Sequence, residues 1–200
     1  MLVFAKAPVA GFAKTRLIPA LGGEGAARLA ARLLRRAVEQ ACDAAPGAVT
    51  LCCSPDTTHP AFQAWTRDAR VTLADQGDGD LGARMTAAFS RTLGDGSERP
   101  AVLIGTDAPG LDAAYLREAV QALRHHDAVF GPALDGGYTL VGLRHPAPGL
   151  FRDIAWSTAA VMTQTRDRLH TLGLSHAELA PLADIDEPAD LVHLPAGWLG

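Results

Sequence analysis

A chain of 200 residues, 48% apolar, 20% charged and of net charge −4, has the make-up of a soluble globular protein of one domain spanning 1–200, and this excludes disorder, collagen and coiled coil. Folding at this size buries about 70–75% of the surface the unfolded chain exposes, enough for a sheet-and-helix core without disulfides or structural metal. The mild acidity and the lack of any Lys/Arg run argue against nucleic-acid and membrane-surface partners, so the expected ligands are small.

Cys42, Cys52 and Cys53 are odd in number and show no C-x-x-C spacing, so they read as reduced core thiols of a cytoplasmic protein. No run reaches the roughly 18 apolar residues of a membrane span, and the start MLVFAKAPVAG has no leader pattern. The only lysines, Lys6 and Lys14, fall in one early loop, while all other positive side chains are Arg. A GC-rich coding sequence accounts for the Arg bias and leaves Lys where its compact ammonium matters.

Apolar runs alternate with amphipathic stretches throughout, the pattern of a three-layer α/β chain with a mixed, mainly parallel sheet between helices. Leu2–Ala5 is expected to be a buried strand ending in a Pro/Gly loop. Glu24–Ala45 places Ala27, Leu29, Ala30, Leu33, Leu34, Ala37 and Val38 on one helical face, with Arg28, Arg32, Arg35, Arg36 and Glu39 opposite. A second strand over Ala48–Cys53, a short helix over Pro60–Trp65 and a helix over Leu81–Leu93 capped by Asp80 follow. Ala101–Gly105 reads as a fully buried strand, and Asp112 caps a helix to about Leu123. Ala128–Gly131 and Tyr138–Leu143 are strands, the latter open to an antiparallel role. Ser157 is expected to cap a helix to about Leu172, and a last strand before Asp184 leads into a short helix from Pro188.

Ligands of open α/β sheets sit outside the carboxyl ends of the strands, where helix N-termini converge, and the distinctive polar residues fall there. Lys6-Ala-Pro-Val-Ala-Gly11-Phe-Ala-Lys14-Thr15-Arg16 offers three positive charges and a glycine turn suited to a di- or triphosphate. It is no Walker A loop, since Pro8 and Ala13 stand where that spacing needs glycine. A solvated basic turn is the bland alternative. Gln76-Gly-Asp78-Gly-Asp80-Leu-Gly82 permits close approach to a flat ligand, with Gln76 able to read a base or sugar edge; a turn followed by the Asp80 cap produces much the same string. Asp107, at the mouth of a buried strand, is costly unless paired or metal-bound, and Mg²⁺ ligation is its natural role. Capping is the alternative, for which Asp112 is better placed.

Asp135-Gly136-Gly137 reads as a tight turn on the same sheet edge as Asp107. Asp184 and Asp186, in an extended segment, point the same way roughly 7 Å apart, and like charges that close call for a cation or a raised pKa. Asp186 could also cap the following helix. The histidines show no ligand or triad spacing.

The ordered series FAKAPVAGFAKTRL, QGDGDLGARM, LIGTDAPGL, GPALDGGYTLVGL, WST and DIDEPADL resembles the radical-SAM/selenodomain-associated transferase family. That bacterial group is placed with the GT-A type glycosyltransferases and is related to the 2-phospho-lactate guanylyltransferases and molybdenum-cofactor nucleotidyltransferases. The resemblance implies a nucleotide-diphospho-sugar-transferase fold with nucleotide over the N-terminal half and a small-molecule acceptor over the C-terminal half. It further implies Mg²⁺ or Mn²⁺ on Asp107, Asp184 and Asp186, phosphates neutralised by Lys14 and Arg16, the base near Gln76 and Gly82, and Asp135, Gly136 and Gly137 near the acceptor or sugar. The loop KAPVAGFAKTRL stands where the better-known nucleotidyltransferases carry L-x-G-G-x-S-x-R-M-G. The expectation is a metal-dependent transferase using an NTP or a nucleotide-sugar; a silent nucleotide-sensing module is the alternative.

Overall fold

In the central strands both alternating sets of side chains are apolar and buried. Val3, Leu51, Cys53 and Ile104 point to one face, and Leu2, Phe4, Cys52 and Leu103 to the other. That is the signature of a sheet covered by helices on both sides. The computed structural model describes residues 1–45, 49–94 and 99–198. Its strands are β1 (Leu2–Lys6), β2 (Val49–Ser54), β3 (Val71–Asp75), β4 (Ala101–Ile104), β5 (Ala128–Pro132), β6 (Tyr138–Leu143) and β7 (His176–Glu178). They form one seven-stranded sheet of order β3-β2-β1-β4-β6-β5-β7. Every pairing is parallel except those of β6, which runs antiparallel to β4 and β5.

The helices are α1 (Ile18–Ala44), α2 (Pro60–Gln63), α3 (Leu81–Leu93), α4 (Ala113–Ala122) and α5 (Val161–Leu172). On one face Leu34 and Val38 of α1 and Leu116 and Ala119 of α4 join the core with Val3, Leu51 and Ile104. On the other, Met85 and Phe89 of α3 and Met162 and Leu169 of α5 pack with Phe4, Phe130 and Val141. A third cluster unites Leu17, Ala26, Leu29 and Leu33 with Ile185 from the far end of the chain.

Several expectations shift by a residue or two, and three change in kind. Gly22 (φ 69, ψ 165) interrupts α1, so the regular helix begins beyond it, close to the expected Glu24; glycine alone tolerates that backbone. Ala48, the expected start of β2, lies outside the described residues. β3 was not anticipated: it is a five-residue strand, VTLAD, that among the described residues pairs only with β2 at the sheet edge. Ser157 does not cap α5. It has φ 63, the helix starts at Val161, and Ala160 takes the cap position without a side-chain bond. The last strand is the short β7, well before Asp184, followed by an isolated bridge between Ala133 and Leu182.

Asp80 and Asp112 do cap α3 and α4, accepting from Ala83 N and Tyr115 N at 2.8 Å. All three cysteines are buried and unlinked. No helix among the described residues is long and apolar enough to cross a membrane.

Candidate active site

Because every strand but β6 runs the same way, the segments following β1, β3, β4 and β7 and the β5–β6 turn meet at one sheet edge. A cleft of about 510 Å³ opens there, lined by Lys6, Lys14, Arg16, Gln76, Asp107, Asp135 and Asp186 among others. A second cleft of about 300 Å³ adjoins it, sharing Arg16, Asp135 and Asp186 and adding Asp184, Glu187 and Asp190.

The loop after β1 is wound tightly by its own backbone: Phe12 N and Ala13 N both donate to Val9 O, and Leu17 N donates to Lys14 O. Gly11 has φ 81 and Lys14 itself is left-handed (φ 49, ψ 44). A 3-10 turn, Thr15–Leu17, then buries Leu17 completely. This winding turns the Lys14 side chain inward, where it is only 7% exposed, with Nζ 2.5 Å from Asp107 Oδ1 and 2.8 Å from Asp186 Oδ1. Burial alone works against the ammonium, but Asp107 and then Asp186 more than reverse it, and the pKa of Lys14 is raised.

Asp107 is released for this contact because Asp112 caps α4 in its place. Asp186 is released likewise. In the 3-10 turn Pro188–His193 it is Asp190 that reaches back to accept from Asp186 N (2.9 Å) and Glu187 N (2.7 Å), so Asp186 does not serve as the cap. Ile185 is fully buried between its two acidic neighbours, which face outward. Burial first, then Asp135, Asp186 and Asp107, push the Asp184 carboxyl up to about 6.

Asp107 and Asp186 offer the carboxylate oxygens that a hard divalent cation such as Mg²⁺ or Mn²⁺ takes, while Asp184 lines the adjoining cleft and not the main one. Two of the carboxylates are already spaced to share one cation, the ammonium of Lys14. Among the described residues no three His, Cys, Asp or Glu side chains converge as a finished cage.

The other expected residues divide. Lys6 is exposed on the cleft wall, and Arg16 is exposed and, among the described residues, pairs with Glu187 at 3.7 Å, an ion pair worth little. Asp135 lines both clefts and accepts from Gly137 N at 2.8 Å. Gln76 is buried, and its amide is committed: Nε2 donates to Ala5 O (3.1 Å) and Cys52 O (3.0 Å), while Oε1 accepts from Arg84 (2.9 Å). Gly11, Gly82, Gly136 and Gly137 are not among the lining residues. At Gly82 a Cβ would stand 2.5 Å from Phe151 O and 3.0 Å from the Trp156 ring, and at Gly136 (φ 94) 2.4 Å from Ala159 O. These two glycines serve backbone packing under the site.

The residues that went unforeseen are Phe12, Leu81, Thr106 and Ser157 on the main cleft. Phe12, 69% exposed, also joins Lys6, Val9, Ser54, Pro55 and His59 around a neighbouring hollow of about 320 Å³. A large aromatic placed between two lysines in a glycine loop was the available signal.

The fold is that of the nucleotide-diphospho-sugar transferases. A protein of Desulfovibrio desulfuricans G20 assigned to that class superposes with a TM-score of 0.81, 31% identity, and coverage of 95% of this chain and 83% of that one. A nucleotidyl transferase from Methanothermobacter matches at 0.61 with 18% identity over 99% and 96% of the two chains. A Mycobacterium tuberculosis H37Rv protein solved in complex with manganese matches at 0.54 with 16% identity over 96% of each. No curated protein sequence matches significantly. The chain belongs to the bacterial family DUF2064, described as "Uncharacterized protein conserved in bacteria", whose profile matches residues 28–158.

Proposed function

We propose that this protein is a metal-dependent transferase that uses an NTP or a nucleotide-sugar as donor and a small molecule as acceptor. The observation that carries the reading is the meeting of Lys14, Asp107 and Asp186, from three segments far apart in sequence, in one cleft that also presents Lys6 and Arg16. The nucleotidyl and sugar-nucleotide transferases that share the fold support it, as does the manganese bound by another protein of that fold.

Asp107, Asp184 and Asp186 would hold Mg²⁺ or Mn²⁺, which when bound neutralises phosphate oxygens and stabilises charge on the leaving group. Lys6, Arg16 and Lys14 supply the remaining positive charge to the phosphates. The base end we assign to the Phe12 hollow, because the amide of Gln76 is occupied and Gly82 is sealed under Trp156. The acceptor end then falls toward Asp135 and Ser157. Such chemistry needs alignment and electrostatics more than a strong base; the main cleft is lined by carboxylates, while His193 lines the adjoining cleft and His59 the Phe12 hollow.

Attack of the acceptor oxygen on the α-phosphorus of an NTP expels pyrophosphate; attack on the sugar carbon of a nucleotide-sugar expels the nucleoside diphosphate or monophosphate. Incubation with NTPs or nucleotide-sugars, Mg²⁺ and candidate phospho-acid acceptors therefore separates the two by the phosphate product. Asp107→Asn should lose turnover by about 100-fold or more, the scale for removal of a charge-stabilising group. Undiminished turnover in that variant, or a wild type that binds nucleotide and converts no donor, overturns the reading, the second in favour of a sensing module.

A further inference from the structure

Lys14 is held in place far more firmly than a lysine that simply awaits phosphate. Its backbone is left-handed, a conformation few side-chain-bearing residues adopt, and it is fixed by the buried flanking residues Ala13 and Leu17. The backbone that carries the two carboxylates it meets is tied down as well, although the carboxylates themselves are 45% and 42% exposed. Ile185 N donates to Asp107 O at 2.9 Å, and Asp190 anchors Asp186 from the other side. The ammonium therefore fills the space between Asp107 and Asp186, the same oxygens a metal would use. Mg²⁺ takes oxygens at about 2.0–2.1 Å, so ion and ammonium cannot both occupy the space between Asp107 Oδ1 and Asp186 Oδ1.

Expelling the ammonium with a bare metal ion leaves a buried cation without a partner, which is strongly unfavourable. A polyphosphate arriving with the metal supplies the missing anion. We propose that Lys14 is the resident cation of the metal-free site, and that it restricts loading to metal and polyphosphate together, rejecting metal alone. The inference rests on the metal reading above and adds a specificity role for Lys14 that phosphate binding does not require. Linkage makes the effect mutual: metal and polyphosphate raise each other's affinity by the same factor.

The test is Mn²⁺ binding to the purified chain, followed by water-proton relaxation, with and without inorganic triphosphate. Wild type should bind Mn²⁺ alone at least about 10-fold more weakly than with triphosphate, a coupling of ordinary size. Lys14→Met should bind Mn²⁺ alone about 10-fold or more tightly than wild type and lose most of the gain from triphosphate. Lys14→Gln, which removes the charge but keeps a donor between the carboxylates, should behave alike and serves if the methionine variant does not fold. Equal or weaker Mn²⁺ binding by folded variants overturns the proposal while leaving the metal reading intact. Failure of every form to bind Mn²⁺, even with triphosphate, overturns both.

Discussion

The amide of Ile185 donates to the carbonyl of Asp107 at 2.9 Å, tying the C-terminal acidic segment to the mouth of β4 through the main chain. Ile185 is also fully buried in a cluster with Leu17 and with Ala26, Leu29 and Leu33 of α1. One residue thus fixes the two segments that carry Asp107, Asp184 and Asp186, and does so with apolar packing as well as a hydrogen bond.

Ile185→Ala should therefore cost stability and site geometry together. The side chain is fully buried, and truncations of this kind cost about 2–5 kcal/mol. Val192, 80% exposed nearby, is the control: Val192→Ser should stay within about 0.5 kcal/mol. Urea denaturation measures both. Mn²⁺–triphosphate binding should fall in the first variant and hold in the second. An Ile185→Ala protein of normal midpoint and normal ligand affinity contradicts the tie.

Gln76 offers a sharper choice between two roles. As a reader of the base it would affect only ligand affinity when changed. The structure gives it instead two buried carbonyls, Ala5 O and Cys52 O, and the guanidinium of Arg84. Gln76→Glu preserves the contact to Arg84 but removes both donated bonds and buries charge against carbonyl oxygens. A group left unsatisfied in this way costs about 1–3 kcal/mol, so the urea midpoint should drop clearly in the absence of any ligand. An unchanged midpoint would return Gln76 to the list of ligand contacts.

At Gly82 the backbone of α3 closes on Trp156 and Phe151. Ala at this helical position would ordinarily stabilise by about 0.8–1.0 kcal/mol. Here its Cβ would lie 2.5 Å from Phe151 O and 3.0 Å from the indole, and overpacking of that kind costs about 1–3 kcal/mol. The second effect wins, and Gly82→Ala should melt earlier than wild type. Gly136→Ala should fare worse, since its positive φ adds backbone strain to a contact 2.4 Å from Ala159 O. A thermal melt of either variant at or above the wild-type midpoint rejects this packing role.

What could be read from the residues and what could not follows from the range of the interactions. β1 and β4 declared themselves because a strand buried on both faces is a run of apolar residues, and Asp80 and Asp112 because a cap acts three residues away. β3, exposed along one edge, had no such pattern, and Ser157 resembled a cap although the chain turns left-handed there before α5 begins. In the site, Asp107 stood out as a carboxylate at the end of an apolar strand. Its partnership with Lys14 did not, nor did that of Asp186, 172 positions from the lysine. Those contacts exist only once the sheet order has brought β1 beside β4 and folded the C-terminal segment back onto α1.

Asp184 gives the pH dependence its sign. Burial and the neighbouring carboxylates raise its pKa from the ordinary 3.8 to about 6 in the folded chain, so the folded state holds the proton more tightly than the unfolded one. The group's contribution to stability is then complete below about pH 3.8 and is lost as pH rises through about 6. Asp184→Asn, uncharged at every pH, should match wild type in acid and exceed it above pH 6 when both are kept in EDTA. Excess Mn²⁺ should narrow that gap, because a ligand of the ionised folded site stabilises it by mass action, and its binding should weaken below about pH 6 as Asp184 takes up its proton. Urea midpoints across the pH range, with chelator and with Mn²⁺, measure each part. Parallel curves for the two proteins in EDTA would show that Asp184 titrates as an ordinary surface carboxylate.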